Sequence, residues 1–286
     1  MKHAINTNCR IICAALLACA LMLPIHTSLA GTGFGEDIVN FKLGAFLSDF
    51  DTKISLTGPA DVGRGVGLED VLGLEPDQAT FRGELMWRFA PRHRIILGYY
   101  SFERSATAAA QQQVIWEFPN RTIQFDVGTT VASSFDWQLV PFSYAYSFYK
   151  TDKLELAAQF GVHWFDLDIK VAGDAIVNNS GGATFVSEST SASGPLPVIG
   201  LHADYALAPK WLVGGHLQYF GLDYDVYTGE LVDARIQTEY RVTDNFHVGL
   251  GYTWYDARIS KRQDGGFEVG ADYVYNGLEA YIGFRF

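Results

Sequence analysis

Residues 81 to 89 read Phe-Arg-Gly-Glu-Leu-Met-Trp-Arg-Phe, an alternation that indicates the fold class of the chain. Successive side chains of a β-strand point to opposite faces, so the odd-numbered residues share one face and the even-numbered residues share the other. The first face is uncharged and holds three aromatic rings, whereas the second holds Arg82, Glu84, Met86 and Arg88. The pattern predicts a β-strand with one apolar face and one ionic face.

Three further stretches repeat this alternation, at residues 154–164, 232–242 and 246–254. Alternation alone would also suit a soluble β-sandwich with its polar face in water. Here the apolar faces carry no charge and favour Trp, Tyr and Phe at their ends, as a lipid-facing band with aromatic girdles requires. The pattern therefore indicates strands that cross a membrane.

The opposite faces mix Arg with Glu and Asp and are interspersed with glycine. Inward glycine makes room for large side chains in a narrow lumen, and paired charges neutralise one another there. The inward glycines are predicted at positions 98, 161, 214, 249, 251 and 283. Because lipid offers no partners to backbone groups, the strands must close on themselves, which predicts an antiparallel up-and-down transmembrane β-barrel.

Short turns alternate with longer polar segments along the chain, and their spacing predicts ten strands. The predicted strands are 38–56, 78–90, 93–106, 131–149, 153–171, 194–207, 210–226, 231–242, 245–260 and 267–286. Outer loops are expected at 57–77, 106–130 and 172–193. An even number leaves both termini in the periplasm. Eight strands is one alternative; twelve would require another hairpin inside 106–130, where two short β-runs could instead extend a hairpin above the membrane.

Residues 1–30 read as a cleavable signal peptide, with a cationic start, an apolar run and Ala30 before Gly31. A lipobox ending at Cys19 is the alternative, although cleavage there would leave an apolar stretch at the new terminus. The mature chain, 31–286, is expected to be a single barrel domain without cysteine, which excludes disulfide and thiolate chemistry. Removing two cations takes the net charge from −11 to −13, which argues against a nucleic-acid partner.

The chain ends Leu-Glu-Ala-Tyr-Ile-Gly-Phe-Arg-Phe, with mostly apolar residues at every second place and a terminal Phe286. This ending resembles the assembly signal of bacterial outer-membrane proteins, here carried by Tyr281, Phe284 and Phe286. The resemblance implies that periplasmic chaperones and the barrel-assembly machinery are partners during biogenesis.

The mature chain also resembles the OmpA-like and OmpW-like small outer-membrane β-barrels, particularly a branch with an early acidic Leu-Gly segment, here residues 67–77. The resemblance implies the outer membrane of a Gram-negative cell as the location, with membrane lipid and lipopolysaccharide as partners. It transfers no catalytic residue, because such barrels serve as adhesins, narrow channels, anchors and occasionally enzymes.

A polar network is predicted inside the lumen from the inward-facing positions of the strands. Its members are Arg82, Glu84, Arg88, His163, His202, Asp204, His216, Arg235, Glu239 and Arg241. His202 and His216 each lie seven residues from Pro209 and should face each other across a hairpin. Such a pair can begin a metal site or a proton relay, but a hydrogen-bond network with Asp204, Gln218 and Arg241 is the favoured interpretation.

Enzymatic readings receive little support from the residues. His163, Asp166 and Asp168 lie close along one strand, but the facing Asp pair and the Asp-x-His step of ten-stranded outer-membrane proteases are not evident. A lipid A deacylase would need His and Ser on one strand, and no His-x-Ser occurs in the mature chain. The serines at 187, 189, 191 and 193 are expected in a solvated loop.

The acidic segment with Glu69, Asp70, Glu75 and Asp77 suits hard cations such as Ca²⁺ but has no EF-hand spacing, so a solvated loop is favoured. No metal and no cofactor are predicted. The leading hypothesis is a non-enzymatic integral outer-membrane protein with a structural, surface-interaction or narrow-channel role. A porin-like small-solute channel and a barrel-embedded lipid A hydrolase or protease are the alternatives.

Overall fold

A computed structural model describes residues 37–57, 65–118, 121–224, 226–262 and 268–286. The predicted signal peptide and the Gly-rich segment at 31–35 lie outside these residues. Within the described ranges, no α-helix is both long and apolar enough to cross a membrane.

Ten long strands form a closed antiparallel ring, in which each strand pairs with the next and the last pairs with the first. They are β1 Val39–Thr57, β3 Asp77–Ala90, β4 His93–Ala109, β7 Thr130–Lys150, β8 Leu154–Val177, β9 Ala183–Ala208, β10 Trp211–Tyr224, β11 Tyr227–Arg241, β12 Phe246–Arg262 and β13 Glu268–Arg285. Closure runs from Asn40 opposite Arg285 to Thr57 opposite Glu268. The predicted ten-stranded barrel is confirmed.

Four smaller elements complete the described chain: β2 Val66–Gly67, helix α1 Leu68–Leu72, β5 Val114–Phe118 and β6 Arg121–Phe125. We call the end of the barrel with the short connections between β3 and β4, β7 and β8, β9 and β10, and β11 and β12 the turn end. The opposite end, which carries β2, α1 and the β5–β6 hairpin, is the loop end.

The predicted outer loop at 172–193 is wrong, because β8 and β9 continue through most of it. Their ladder extends to Ile176 opposite Ala183. The turn between them uses Asn178, Asn179 and Gly181, which adopt left-handed φ values of 50°, 55° and 74°. Small polar side chains on both faces hid this strand in the sequence, since they remove the apolar half of the alternation.

The segment 106–130 holds a hairpin above the barrel rather than two more spanning strands, so the twelve-stranded alternative is wrong. β5 pairs with β6, and β6 joins β8 at Ile123 opposite Val177. The side-chain amides of Gln124 and Gln113 donate hydrogen bonds to Asp126 at 2.7 and 3.1 Å, which lowers the pKa of that carboxyl.

The outer surface of the turn-end half is a belt of exposed apolar side chains. Large members of the belt are Leu47, Phe81, Trp87, Phe142, Phe160, Trp164, Leu201, Tyr219, Ile236, Leu250, Leu278 and Ile282. Acidic residues follow immediately toward the loop end, for example Asp49 on β1, Asp166 on β8, Glu230 on β11 and Asp256 on β12. A band bounded in this way has the organisation of a lipid-facing surface.

The two faces exchange character above this belt. On β8 the outward face changes from Trp164 to Asp166 and Asp168, while Phe165 and Leu167 turn inward and are buried. The barrel interior is therefore polar in the turn-end half and apolar in the loop-end half.

Candidate functional site

All ten predicted lumen residues point into the turn-end half of the barrel. Arg82, Arg88, His163, Arg235, Glu239 and Arg241 are buried, while the side chains of Glu84, His202, Asp204 and His216 are 11–18% exposed. Strand alternation brings them together from five different strands.

A continuous chain of ion pairs occupies the centre of this half. Glu279 of β13 accepts from Arg82 at 3.0 Å and contacts Arg235 at 2.8 Å. Arg235 also binds Glu84 at 2.9 Å. The Lys42 ammonium lies 3.3 Å from the same Glu84 carboxylate and extends the chain of ion pairs toward the turn end. Each cation therefore has an anionic partner, which is the condition for burying charges at tolerable cost.

Glu239 continues the chain toward the turn end. Its carboxylate lies 2.8 Å from the Lys42 ammonium and accepts a 3.0 Å hydrogen bond from the Tyr281 hydroxyl. Arg285 approaches the same carboxylate at 3.4 Å and pairs with Asp37 at 3.1 Å. This part of the network joins the first and last strands of the ring and so stabilises closure.

A second cluster lies against β8. Arg88 binds Glu155 through two bonds of 2.9 and 3.0 Å, a bidentate geometry. Arg94 binds Asp204 at 3.1 Å, and Nε2 of His202 lies 2.9 Å from the same carboxylate.

The two facing histidines are opposite each other in the β9–β10 ladder, as predicted, with ring centroids 6.5 Å apart. His202 pairs with Asp204, but the acidic partner of His216 is Asp233, at 3.3 Å. Gln218 is not hydrogen-bonded to either of these two rings. Its side-chain oxygen lies 2.8 Å from Nε2 of His163.

Arg241 does not join the histidines, contrary to the sequence-based network. It lies two residues beyond Glu239 on β11, at the turn end, within electrostatic range of Arg285 and Asp37. Strand alternation predicts which face a residue occupies but not its height relative to a partner on a distant strand, and that height separates Arg241 from the histidines.

The structure adds Lys42, Arg94, Glu155, Asp233 and Glu279 to the predicted network. All five occupy inward positions of their strands, and all are buried. The two-residue alternation was the signal that could have identified most of them. Arg94, Glu155, Asp233 and Glu279 each lie an even number of residues from a predicted inward residue on the same strand. In the described residues, no group of three or more His, Cys, Asp or Glu side chains is arranged to hold a metal ion.

Two inward glycines show why this lumen needs them. A Cβ at Gly249 would overlap the Tyr281 ring, and a Cβ at Gly283 would overlap the His247 ring. Each large side chain therefore lies flat across a glycine on the adjacent strand.

The loop-end half is filled by an apolar core that the sequence reading did not anticipate. Trp137 stacks on Tyr273 with centroids 4.5 Å apart, and Tyr255 stacks on Tyr275 at 4.9 Å. Fully buried members of this core include Phe46, Phe102, Phe125, Phe135, Leu68, Leu72, Leu74 and Ile123. The sequence does carry a signal for this core on β8, where acidic residues take over the outward face and apolar residues the inward face beyond Trp164.

The acidic Leu-Gly segment contributes to this core rather than forming a solvated loop. Leu68, Leu72 and Leu74 are buried, and Glu69 binds Arg104 of β4 at 2.6 Å and accepts a 2.9 Å bond from the Thr52 amide. β2 and α1 thereby fill the wall between β1 and β4, above the point where β3 and β4 pair. The remaining carboxylates of the segment, Asp70, Glu75 and Asp77, do not converge with Glu69 on a cation site.

The protease-like grouping is divided between two faces of β8. His163 is fully buried in the lumen, where its ring packs near Tyr255, whereas Asp166 and Asp168 lie on the outer surface. The serines at 187, 189, 191 and 193 lie on β9, not in a loop as expected.

The three residues of the assembly signal do not share a face. Phe284 and Phe286 lie outward and are 40% and 51% exposed, while Tyr281 is inward and bonded to Glu239. Counting back in twos from Phe286 leads through Phe284 and Ile282, so Tyr281 is out of phase with the outward set.

No protein-family model and no curated protein sequence matches the chain. Among solved structures it is similar to the outer-membrane protease OmpT from Escherichia coli, with a TM-score of 0.55 and 14% identity over 87% of this chain and 96% of that one. It also matches the transport unit of the autotransporter AIDA-I from Escherichia coli, with a TM-score of 0.40 and 12% identity over 95% of both chains. A third match is Ail of Yersinia pestis, with a TM-score of 0.30 and 10% identity over 84% of this chain and 97% of that one.

The likeness to OmpT concerns the fold, and it agrees with the closed antiparallel ring of strands. The chain has the fold of the outer-membrane β-barrel proteins, in a ten-stranded form.

Proposed function

We propose that the chain is a non-enzymatic integral outer-membrane protein whose closed barrel holds a rigid β-structure above the membrane for contact with other surfaces. The observation that carries this proposal is the filled interior, polar in one half and apolar in the other, below strands that continue far beyond the belt.

Strand length supports the surface role. About 9–11 residues suffice for a tilted strand to cross the hydrocarbon region. β8 has 24 residues and β9 has 26, so at a tilt of about 45° β8 would reach roughly 55 Å along the barrel axis. More than half of this hairpin therefore stands beyond the lipid.

Orientation follows from the same features. In bacterial barrels the short turns face the periplasm and the long extensions face outward. We place both termini and the turn end in the periplasm and the loop end outside the cell. The belt then contacts outer-membrane lipid and lipopolysaccharide, and chaperones and the barrel-assembly machinery would recognise the chain during insertion.

Surface labelling tests this orientation, since the mature chain has no native cysteine. Ser180→Cys places a thiol in the exposed β8–β9 turn, and Asp152→Cys places one at the turn end. A membrane-impermeant maleimide should label Ser180→Cys on intact cells and Asp152→Cys after the outer membrane is permeabilised. The reverse result would contradict the proposal.

A porin-like channel is the first alternative. The lumen contains a cavity of about 40 Å³ beside His202, His216 and Asp233, room for about three water molecules, and one of about 70 Å³ at the turn end. The aromatic core closes the path above them. Purified protein in planar bilayers should show no conductance above leak, and stepwise single-channel events would favour the channel instead.

A barrel-embedded hydrolase is the second alternative. The described histidines, His93, His163, His202, His216 and His247, lie in the turn-end half of the barrel. Inside the lumen, His202 and His216 are paired with Asp204 and Asp233, while His163 is hydrogen-bonded to Gln218 and packs near Tyr255. We expect purified protein to cleave neither peptides nor lipid A. A cleavage activity lost in His163→Ala or His202→Ala would overturn the non-enzymatic assignment.

A further inference from the structure

The β9 strand has an unpaired edge outside the barrel wall. It pairs with β8 from Ala183 to Tyr205, but its ladder with β10 reaches only Ile199, opposite Tyr219. Among the described residues, no backbone hydrogen bond engages the other edge of β9 between residues 183 and 198.

The backbone register identifies the groups on this edge. The amide of Ala206 donates to the Lys153 carbonyl at 2.8 Å, so Ala206 bonds toward β8. The β8–β9 register is continuous, so even-numbered residues of β9 bond β8 and odd-numbered residues face the open edge. The open donors and acceptors between residues 185 and 193 belong to Phe185, Ser187, Ser189, Ser191 and Ser193.

The two prolines of β9 agree with this assignment. Pro195 and Pro197 both occupy odd positions, where the missing N–H removes no bond to β8. Proline in a sheet is confined to such open-edge positions. The two prolines prevent strand addition to the part of the edge next to the barrel, because they lack an N–H donor. Residues 183–193 contain no proline.

The outer part of this edge has few of the devices that usually prevent strand addition, and Glu188 is its only charged residue. Residues 183–193 contain no proline, no lysine and no bulge, and most of their side chains are exposed. Phe185 is 73% exposed. Eleven residues extend about 36 Å, enough for a ladder with a second strand.

We propose that this edge pairs antiparallel with the same edge of a second copy in a facing membrane, an inference that rests on the outward orientation proposed above. The paired side chains would be mainly Ser and Thr, which suit cross-strand hydrogen bonding. The charge of Glu188 is already matched by Arg121 at 2.8 Å, so self-pairing brings no uncompensated repulsion from this residue.

Strand direction selects the facing membrane. β9 runs from the loop end to the turn end, so two copies in one membrane have β9 strands that descend together. Antiparallel pairing through a two-fold axis requires opposite directions, which copies on apposed membranes provide. The surface thus fits homotypic contact between cells.

The experiment uses Ser189→Cys in the full chain, expressed with two different epitope tags in separate Gram-negative cultures. After mixing and mild oxidation, we expect disulfide-linked dimers that carry both tags. Ser187→Pro with Ser191→Pro in this background should reduce the mixed dimer about tenfold or more, the effect of losing two or more ladder hydrogen bonds. The matched control, Ser187→Ala with Ser191→Ala, keeps both amides and should retain the dimer.

Three outcomes would overturn the pairing: no mixed dimer, a mixed dimer formed only when both tags are expressed in one cell, or equal effects of the proline and alanine pairs. Heat-modifiable gel mobility verifies that each variant has folded. Maleimide labelling of Ser189→Cys on intact cells separates the two proposals. A labelled but uncrosslinked thiol rejects the pairing alone, whereas an unlabelled thiol rejects the outward orientation and the pairing with it.

Discussion

At the scale of single residues, the lumen depends on reciprocal neutralisation of buried charges. Glu279 is the clearest case, because it lies between the guanidinium groups of Arg82 and Arg235 and is almost fully buried. Such a pair of arginines would repel each other without the carboxylate. The charges therefore connect β3 and β11 with β13, which lies between them in the ring.

Glu279→Gln should destabilise the folded barrel by about 3–5 kcal/mol, because it leaves two buried cations with one anionic partner fewer. Denaturant unfolding in detergent micelles, followed by tryptophan fluorescence, measures this loss. Glu103→Gln is the control, since Glu103 is exposed on the outer surface of β4; a surface substitution should change stability by less than about 0.5 kcal/mol. Equal effects of the two substitutions would contradict the network.

Glycine at position 249 is predicted to be required by the Tyr281 ring. Gly249→Ala should cost about 1–3 kcal/mol, the usual range for overpacking. Gly251→Ala is a matched control on the same face of β12, because its Cβ would have no neighbour nearer than 3.4 Å. If both substitutions have the same small effect in the unfolding assay, the close approach of Tyr281 does not constrain this strand.

At the scale of elements, helix α1 completes the wall and the core at the loop end. Its apolar side enters the barrel through Leu68 and Leu72, while Glu69 ties it to Arg104. Gly73 ends the helix at a left-handed φ of 71°, which favours glycine. The segment is short, so it depends on these contacts for its conformation.

Leu72→Ala should loosen this element without opening the turn-end barrel. Removing a fully buried leucine side chain costs about 2–5 kcal/mol, and here the loss falls on a short segment. Hydrogen exchange followed by mass spectrometry should accelerate in peptides covering 66–76 and remain slow in β11 and β12. Glu75→Ala, at an exposed position, should leave exchange unchanged; acceleration throughout the barrel in Leu72→Ala would contradict a local role.

The spanning strands could be predicted from sequence because lipid imposes a strict two-residue period on them. Nine or more residues of β3, β8, β11 and β12 carry that period. The structure places β3 and β12 within two residues of the expected bounds, whereas β8 and β11 match at the turn end and extend further at the loop end. Where β8 and β9 leave the lipid, the constraint disappears and small polar residues occupy both faces. The two-residue period therefore does not predict the extension of β8 and β9 through 172–193, and it does not predict the helix α1 within 57–77.

At the scale of the whole molecule, the barrel combines a lipid-facing half with a half that resembles a soluble β-barrel. In the lipid-facing half the interior is polar and the outer surface is apolar. In the loop-end half the interior is apolar and the outer surface is polar. The lumen residues could be assigned by parity, but their pairing could not, because partners such as Arg82 and Glu279 are 197 residues apart in sequence. The apolar core could not be predicted either, because the two-residue pattern was taken to keep the same face polar along the whole strand.

The most direct test of the central claim, a closed barrel inserted in the outer membrane, is the gel mobility of outer-membrane fractions prepared with and without brief boiling. We expect the protein in this fraction, and we expect the unboiled, still folded barrel to migrate differently from the boiled chain. A soluble periplasmic protein whose mobility does not change on boiling would contradict the lipid-facing belt and every assignment that depends on it.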